Sequence, residues 1–158
     1  MKIIFLDIDG VLNGDLTHSE RNPYGILIDD TRLDLIKHII DKTGAKIVLS
    51  TSWKEHWEKS DDKCDEIGRE IRRRFEEKEI SILDKTPKRW NDRKQEIVDW
   101  LEEHSEVTSF VVMDDTPFEE GILKQHFVLT SSFRYGIDEF DMEKAISILN
   151  SRFGSILS

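Results

Sequence analysis

The chain has 158 residues, 37% of them apolar and 35% charged, which fits one globular domain whose core needs no disulfide staples. The 33 Asp and Glu outnumber the 23 Lys and Arg, giving a formal net charge of −10, the wrong sign for a nucleic-acid coat or an anionic-membrane binder. The lone Cys64 excludes an internal disulfide and a cysteine-rich metal site, and the apolar run Ile3 to Leu6 is far too short for a membrane span or a signal-peptide core. The expectation is a soluble, cytoplasmic protein of one domain, residues 1–158, with no membrane partner.

In chain order, Ile3-Ile4-Phe5-Leu6 reads as a fully buried strand. Leu33, Ile36 and Ile40, widened by Leu35 and Ile39, form one face of a helix over 31–42. Thr31 with Asp34 fits a capping box and Gly44 a left-handed stop. Ile47-Val48-Leu49 is a second buried strand, a polar helix occupies about 62–78, and Ile80 to Leu83 reads as a third strand. Asp92 caps a helix whose face is Ile97, Trp100 and Leu101, ending near His104. Phe110-Val111-Val112-Met113 is the fourth strand, Phe127-Val128-Leu129 the fifth, and 141–151 a closing helix. Strands alternating with helical crossovers specify an α/β fold: a parallel sheet covered by helices on both faces.

In such sheets ligands bind outside the carboxyl ends of the strands. Asp7, Ile8, Asp9 and Gly10 follow the first strand; Ser50, Thr51 and Ser52 the second; Asp114 and Asp115 the fourth. Arg93 and Lys94 open a helix. A single Asp after a strand is usually a cap or turn residue, but two such pairs converging on one crevice repel unless a cation neutralises them. An all-oxygen donor set selects a hard ion, Mg2+ before Zn2+. Hydroxyls at 51 and 52 commonly cap helices, so alone they decide nothing. A basic pair in a first turn opposes the helix dipole and suggests a nearby anion.

These residues carry a resemblance. Ile3 to Leu12, a hydrophobic strand followed by Asp-Ile-Asp-Gly-Val, resembles motif I of the haloacid dehalogenase (HAD) superfamily. Ile47 to Ser52 resembles motif II, Arg93 or Lys94 motif III, and Val111 to Asp115 motif IV. All four occur in the family's order between residues 3 and 115. More narrowly, DIDGVLN, STSWK, RKQEIVDWL and VMDD resemble HAD domains associated with RNA-repair proteins and, through them, the phosphatase half of polynucleotide kinase-phosphatases.

The resemblance implies a Rossmann-like three-layer fold without a large cap and a phosphatase working through an aspartyl-phosphate. Asp7 would be the nucleophile and Asp9 the general acid and base. Mg2+ would be held by Asp7, the Asp9 carbonyl and Asp114, with Asp115 one shell out. Thr51 and the Ser52 amide would bind the phosphoryl oxygens, and Arg93 or Lys94 would neutralise their charge. For motif II, Thr51 is preferred to Ser50; for motif III, Arg93 is preferred to Lys94 because it precedes Ile97 by four residues. An acid at position 9 favours phosphate-ester hydrolysis over dehalogenation, since it supplies a proton to an alkoxide.

Only 40 residues separate Gly10 from Thr51, and 40 more separate Ser52 from Arg93. The expected helices and strands use most of both, leaving about 11–29 for a turn and a hairpin-like flap. An open pocket suits a polymer end, which itself shields the reaction from water. Segment 84–94 carries Lys85, Lys88, Arg89, Arg93 and Lys94 against Asp84 and Asp92, whereas 95–123 has nine acids and no Lys or Arg. A terminal phosphate on a nucleic acid is the favoured substrate. A small phosphometabolite, a nucleotide or a phosphoprotein is the alternative. A kinase or ligase partner stays open. Trp53 and Trp90 flank the site in sequence and could stack on a base or simply pack. His56 reads as a surface residue, and Arg72-Arg73-Arg74 as a solvated helix face. A phosphorylation-receiver module would order its acids differently; a Mg2+-dependent nuclease would share the four carboxylates but release mononucleotides.

Overall fold

The computed structural model describes residues 1–18 and 23–151. Five strands, β1 (Lys2–Leu6), β2 (Lys46–Leu49), β3 (Ile82–Lys85), β4 (Ser109–Asp114) and β5 (Phe127–Leu129), form one parallel sheet in the order β3-β2-β1-β4-β5. Four helices, α1 (Asp30–Thr43), α2 (Glu66–Glu77), α3 (Arg93–Glu102) and α4 (Glu139–Asn150), cover it.

The alternation of side chains along β1 builds the two outer layers. Ile4 and Leu6 join Leu33, Ile36 and Ile39 of α1, Ile71 and Phe75 of α2, and Ala145 and Leu149 of α4. Ile3 and Phe5 face the other way, onto Ile97, Trp100 and Leu101 of α3. Phe5 meets Trp100 edge-on at 5.5 Å and Phe110 at 5.8 Å. Each such burial contributes about 1.5–3 kcal/mol, so packing on both faces holds the central strands.

The helix ends show where local chemistry decides. The N-cap of α1 is Asp29, whose carboxylate accepts from the Thr31 amide at 2.9 Å. The capping box expected on Thr31 does not form. Asp29 is already fixed by its own amide on the Leu12 carbonyl, and Asp34 turns out to pair with Lys78 at 2.9 Å. Gly44 stops α1 at φ 74° with its amide on the Ile40 carbonyl, as expected. Asp92 caps α3 through the Gln95 amide, and Asp138 with Asp141 forms a complete capping box on α4.

Two expectations shift. The region from 62 divides into a short 3₁₀ turn, Asp61–Lys63, and α2, because Asp65 caps the helix through the Gly68 amide. The third strand starts at Ile82 rather than Ile80, since the Ile80 amide closes the end of α2 on the Phe75 carbonyl. The arginine run is not one solvated face. Arg73 pairs with Glu70 and Glu77, but Arg74 bonds the Ile28 carbonyl and Asp30, and Arg72 lies over the Trp57 ring while donating to the Glu58 carbonyl.

Residues 11–18 form turns tied to the 132–134 loop by the Asp15 and Leu16 amides. No strand occurs in the described part of 11–29; positions 19–22 of the expected flap lie outside the described residues. Among the described residues neither inter-motif segment contains a cap domain, as expected. Among the described residues no helix is long and apolar enough to cross a membrane. The chain runs outward from β1 through β2 and β3, then returns to the other side of β1 for β4 and β5. The switch in direction therefore falls between β1 and β4, where a crevice opens beyond the strand ends.

Candidate active site

Asp7 follows β1 and its amide donates to the Met113 carbonyl, placing it beside the end of β4 where Asp114 and Asp115 sit. One carboxylate oxygen from each of Asp7, Asp114 and Asp115 lies within 4.8 Å of the other two. Asp7 and Asp114 are buried, at 4% and 0% exposure. The Asp7 Oδ1 accepts from the Ile8 amide at 2.8 Å, and Asp114 Oδ1 from the Thr116 amide at 2.9 Å. One guanidinium nitrogen of Arg93 bridges the pair, 3.2 Å from Asp7 Oδ2 and 2.7 Å from Asp114 Oδ2.

A single arginine cannot balance three carboxylates. Burial pushes the Asp7 carboxyl up to about 8, and Asp114 adds to the rise; Arg93, the Ile8 amide and the Thr51 hydroxyl oppose it. Asp115 is also raised, by burial first and then by Asp114. The cluster is thus short of positive charge. Its oxygen-only donor set fits a divalent hard cation such as Mg2+.

Asp9, two residues on, is exposed and lies outside this cluster. Its Oδ2 accepts from the Trp53 indole N–H at 2.9 Å and its Oδ1 from the Asn13 side-chain Nδ2 at 3.1 Å. Asn13 is itself buried, its side chain donating to the Leu27 carbonyl at 2.7 Å and accepting from the Gly10 amide at 3.1 Å. The intervening turn needs Gly10: φ is +82°, and a Cβ there would collide with the Asp115 carboxylate. Its carbonyl accepts from the buried Thr130 hydroxyl at 2.7 Å. The turn leaves Asp7 buried in the cluster and sets the exposed Asp9 at its edge, lining a depression shared with Gly10, Asn13 and Asp115.

On the β2 side, Thr51 is buried and caps the 3₁₀ turn Ser52–His56 by accepting from the Trp53 amide, whereas the buried Ser50 hydroxyl has no partner among the described residues. Ser52 is exposed beside Thr51. Lys54, also buried, forms an ion pair with buried Glu96 at 2.9 Å and donates to Thr86 and the Pro87 carbonyl. Thr51, Lys54 and Glu96 line a depression of about 220 Å³ that reaches Arg93. His56 pairs with Asp65 at 2.6 Å and is not among the residues lining it.

Of the two candidate motif III residues, the structure brings Arg93 to the carboxylates; Lys94 turns to Glu120 at 3.4 Å. The other cations of 84–94 are occupied as well. Lys85 reaches the Lys54 and Trp57 carbonyls and Glu58, Lys88 pairs with Glu55 and Arg89 with Asp99. The basic excess read from the sequence is therefore largely neutralised locally, although the Lys88 and Lys94 pairs are exposed and so weak. Between them the chain makes a tight turn closed by the Asp92 amide on the Arg89 carbonyl at 2.8 Å. Its two central residues, Trp90 and Asn91, have φ of 50° and 62°.

The chain matches a family model, the HAD domain in Swiss Army Knife RNA repair proteins, over residues 3–142. It belongs to that family. No curated protein and no solved structure matches it. The HAD assignment agrees with the parallel sheet and with the lack of a cap domain among the described residues, and it makes the chain a hydrolase of the phosphatase type. Three features beside this candidate site were not singled out for their roles in the sequence: Asn13, the Lys54–Glu96 pair and the Thr116 amide. Asn13 stands four residues after Asp9 inside the DIDGVLN run, a usable signal. Lys54 and Glu96 give none, because 42 positions separate them and only the fold buries both.

Proposed function

We propose that this HAD domain is a Mg2+-dependent phosphomonoesterase that works through an aspartyl-phosphate on Asp7 and removes a terminal phosphate from a nucleic acid. The observation that carries the reading is the buried Asp7–Asp114 pair bridged by Arg93, with Asp115 completing a cluster short of positive charge. Asp7 and Asp114, with Asp115 beside them, would hold the ion; when bound, it supplies charge neutralisation for the incoming phosphate and for the ionised nucleophile.

A carboxylate oxygen of Asp7 attacks phosphorus, and the bond to the leaving ester oxygen breaks as the acyl-phosphate bond forms. Asp9 delivers a proton to that oxygen, then takes one from the water that cleaves the acyl phosphate and restores Asp7. Trp53 and Asn13 hold Asp9 in place for both steps. The Thr51 hydroxyl and the Ser52 amide orient the phosphoryl oxygens, and Arg93 offsets their charge. Lys94, held on Glu120, is left a supporting role at the rim.

Two features support a nucleic-acid end over a small phosphometabolite: the matching family is that of HAD domains in RNA repair proteins, and among the described residues no cap domain covers the crevice. End-phosphorylated oligonucleotides are expected to exceed the matching mononucleotides at least tenfold in kcat/KM. That advantage should shrink as salt rises, because backbone phosphates release counterions on binding. Equal or better turnover of mononucleotides, sugar phosphates or phosphopeptides would reject the polymer end. Release of mononucleotides in place of inorganic phosphate would support the nuclease.

A further inference from the structure

Trp90 is 97% exposed, more than any other large apolar side chain among the described residues. Its backbone lies in the left-handed region, which residues other than Gly, Asn and Asp seldom occupy. Both central residues of the Arg89–Asp92 turn have positive φ, a pattern that favours Gly or Asn at the position Trp90 fills. Such strain persists only where the surroundings impose it, and it clusters at ligand clamps. Here the surroundings are explicit. The Arg89 amide donates to Glu96 at 2.9 Å, the Arg89 side chain to Asp99 at 2.8 Å, and Asp92 caps α3. The turn is fastened to the first helical turns of α3, which carry Arg93. Nothing in these contacts buries the indole.

What the indole does line is a depression of about 480 Å³, shared with Phe118, Thr116, Lys94 and Arg93. Arg93 reaches Asp7 and Asp114, and the Thr116 amide bonds Asp114, so two of its walls are walls of the catalytic crevice. The volume is that of a pocket for a nucleotide-sized ligand. A phosphate at Asp7 would leave the attached nucleoside at this mouth, where Trp90 and half-buried Phe118 supply aromatic surface and Lys94 a cation in a weak exposed pair.

We propose that Trp90 is the stacking platform for the base of the phosphorylated terminal nucleotide, making the site selective for a base-bearing, single-stranded nucleic-acid end. The inference rests on the nucleic-acid reading above and adds a specificity-determining residue to it. A platform held by its turn presents the ring without ordering a loop on binding, and a π-face accepts any base. Selection would be for the presence of a base, not for its identity.

The test compares oligoribonucleotides, 5′- or 3′-phosphorylated, whose terminal residue bears a base or is abasic. Both kcat/KM and affinity are measured, the latter by fluorescence anisotropy in the Asp7→Asn protein, so that binding is read even without turnover. Wild type is expected to prefer the base-bearing end about tenfold or more, mostly through KM. In Trp90→Ala that ratio should fall to near one, and in Trp90→Phe most of it should remain. Circular dichroism and Tm confirm that the variants fold. A ratio near one in the wild type, or one unchanged in Trp90→Ala, overturns the role of Trp90. If the ratio fails while oligonucleotides still exceed mononucleotides, the polymer-end reading stands without its platform. If phosphopeptides or sugar phosphates win instead, the polymer-end reading itself falls.

Discussion

Replacing Asp7 by asparagine is expected to cut phosphate release by about 10⁴-fold or more, the scale of nucleophile removal, and to raise the thermal stability of the metal-free protein at pH 8. The first effect follows because the amide keeps the shape of the carboxylate but cannot attack phosphorus. The second follows from linkage. Burial and Asp114 lift the Asp7 carboxyl from 3.8 to about 8 in the folded chain. Between those values the folded state holds a proton that the unfolded chain gives up, so stability falls as pH rises through this window. Above it, the native site carries a buried, incompletely neutralised charge. Asparagine carries none at any pH and can still accept the Ile8 amide. Tm of Asp7→Asn should exceed wild type at pH 8 by a few degrees, at about 2–4 °C per kcal/mol for a chain of this size, and the gap should close by pH 4. A Tm below wild type throughout would mean that the carboxylate stabilises the fold, and more than about a hundredth of wild-type turnover would remove Asp7 as nucleophile.

Metal dependence is the second large effect. Chelation with EDTA should abolish turnover, and Mg2+ should restore it and raise Tm. The Tm gain should be larger at pH 8 than at pH 5, where protons compete for the same oxygens. Asp114→Ala should lose both responses. Asp114 also holds Arg93 at 2.7 Å and the Thr116 amide at 2.9 Å, so Asp114→Asn, which keeps the side chain's size, separates loss of charge from loss of packing. Asp115 is only partly buried and makes no bond to Arg93; Asp115→Ala should cost about 10–100-fold, the range for groups that support a metal ligand. Greater damage from Asp115→Ala would place the ion on Asp115. Full activity in metal-free buffer would show that the carboxylates serve another purpose.

Much of this site is legible in the sequence because its parts are local. Asp7 and Asp9 follow a buried strand, Asp114 and Asp115 another, and parallel topology brings strand ends together. The basic residue is legible too: Arg93 is the first residue of a helix capped by Asp92. The misreadings share a physical cause, which is competition from backbone and side-chain partners that the local pattern does not reveal. Leu12 holds Asp29 and makes it the cap in place of Thr31, while Phe75 draws Ile80 out of the edge strand. The basic run at 84–94 has the charge that was counted, yet Glu55, Glu58, Asp99 and Glu120 spend most of it. Trp53 could be placed near the site by order alone, but not as the donor that holds Asp9. The exposure and positive φ of Trp90 could not be read from the sequence, since they come from a turn fastened to α3.

That Asp7 is the phosphorylated nucleophile is tested most directly by following the phosphate itself. The protein is mixed with Mg2+ and an oligonucleotide carrying a radiolabelled terminal phosphate, quenched in acid within the first turnovers, and digested for mass spectrometry. Label should appear on the protein before it appears as inorganic phosphate, be released by alkali as an acyl phosphate is, and map to Asp7; Asp7→Asn should stay unlabelled. Label on another residue, or phosphate release with the protein unlabelled throughout, would contradict it.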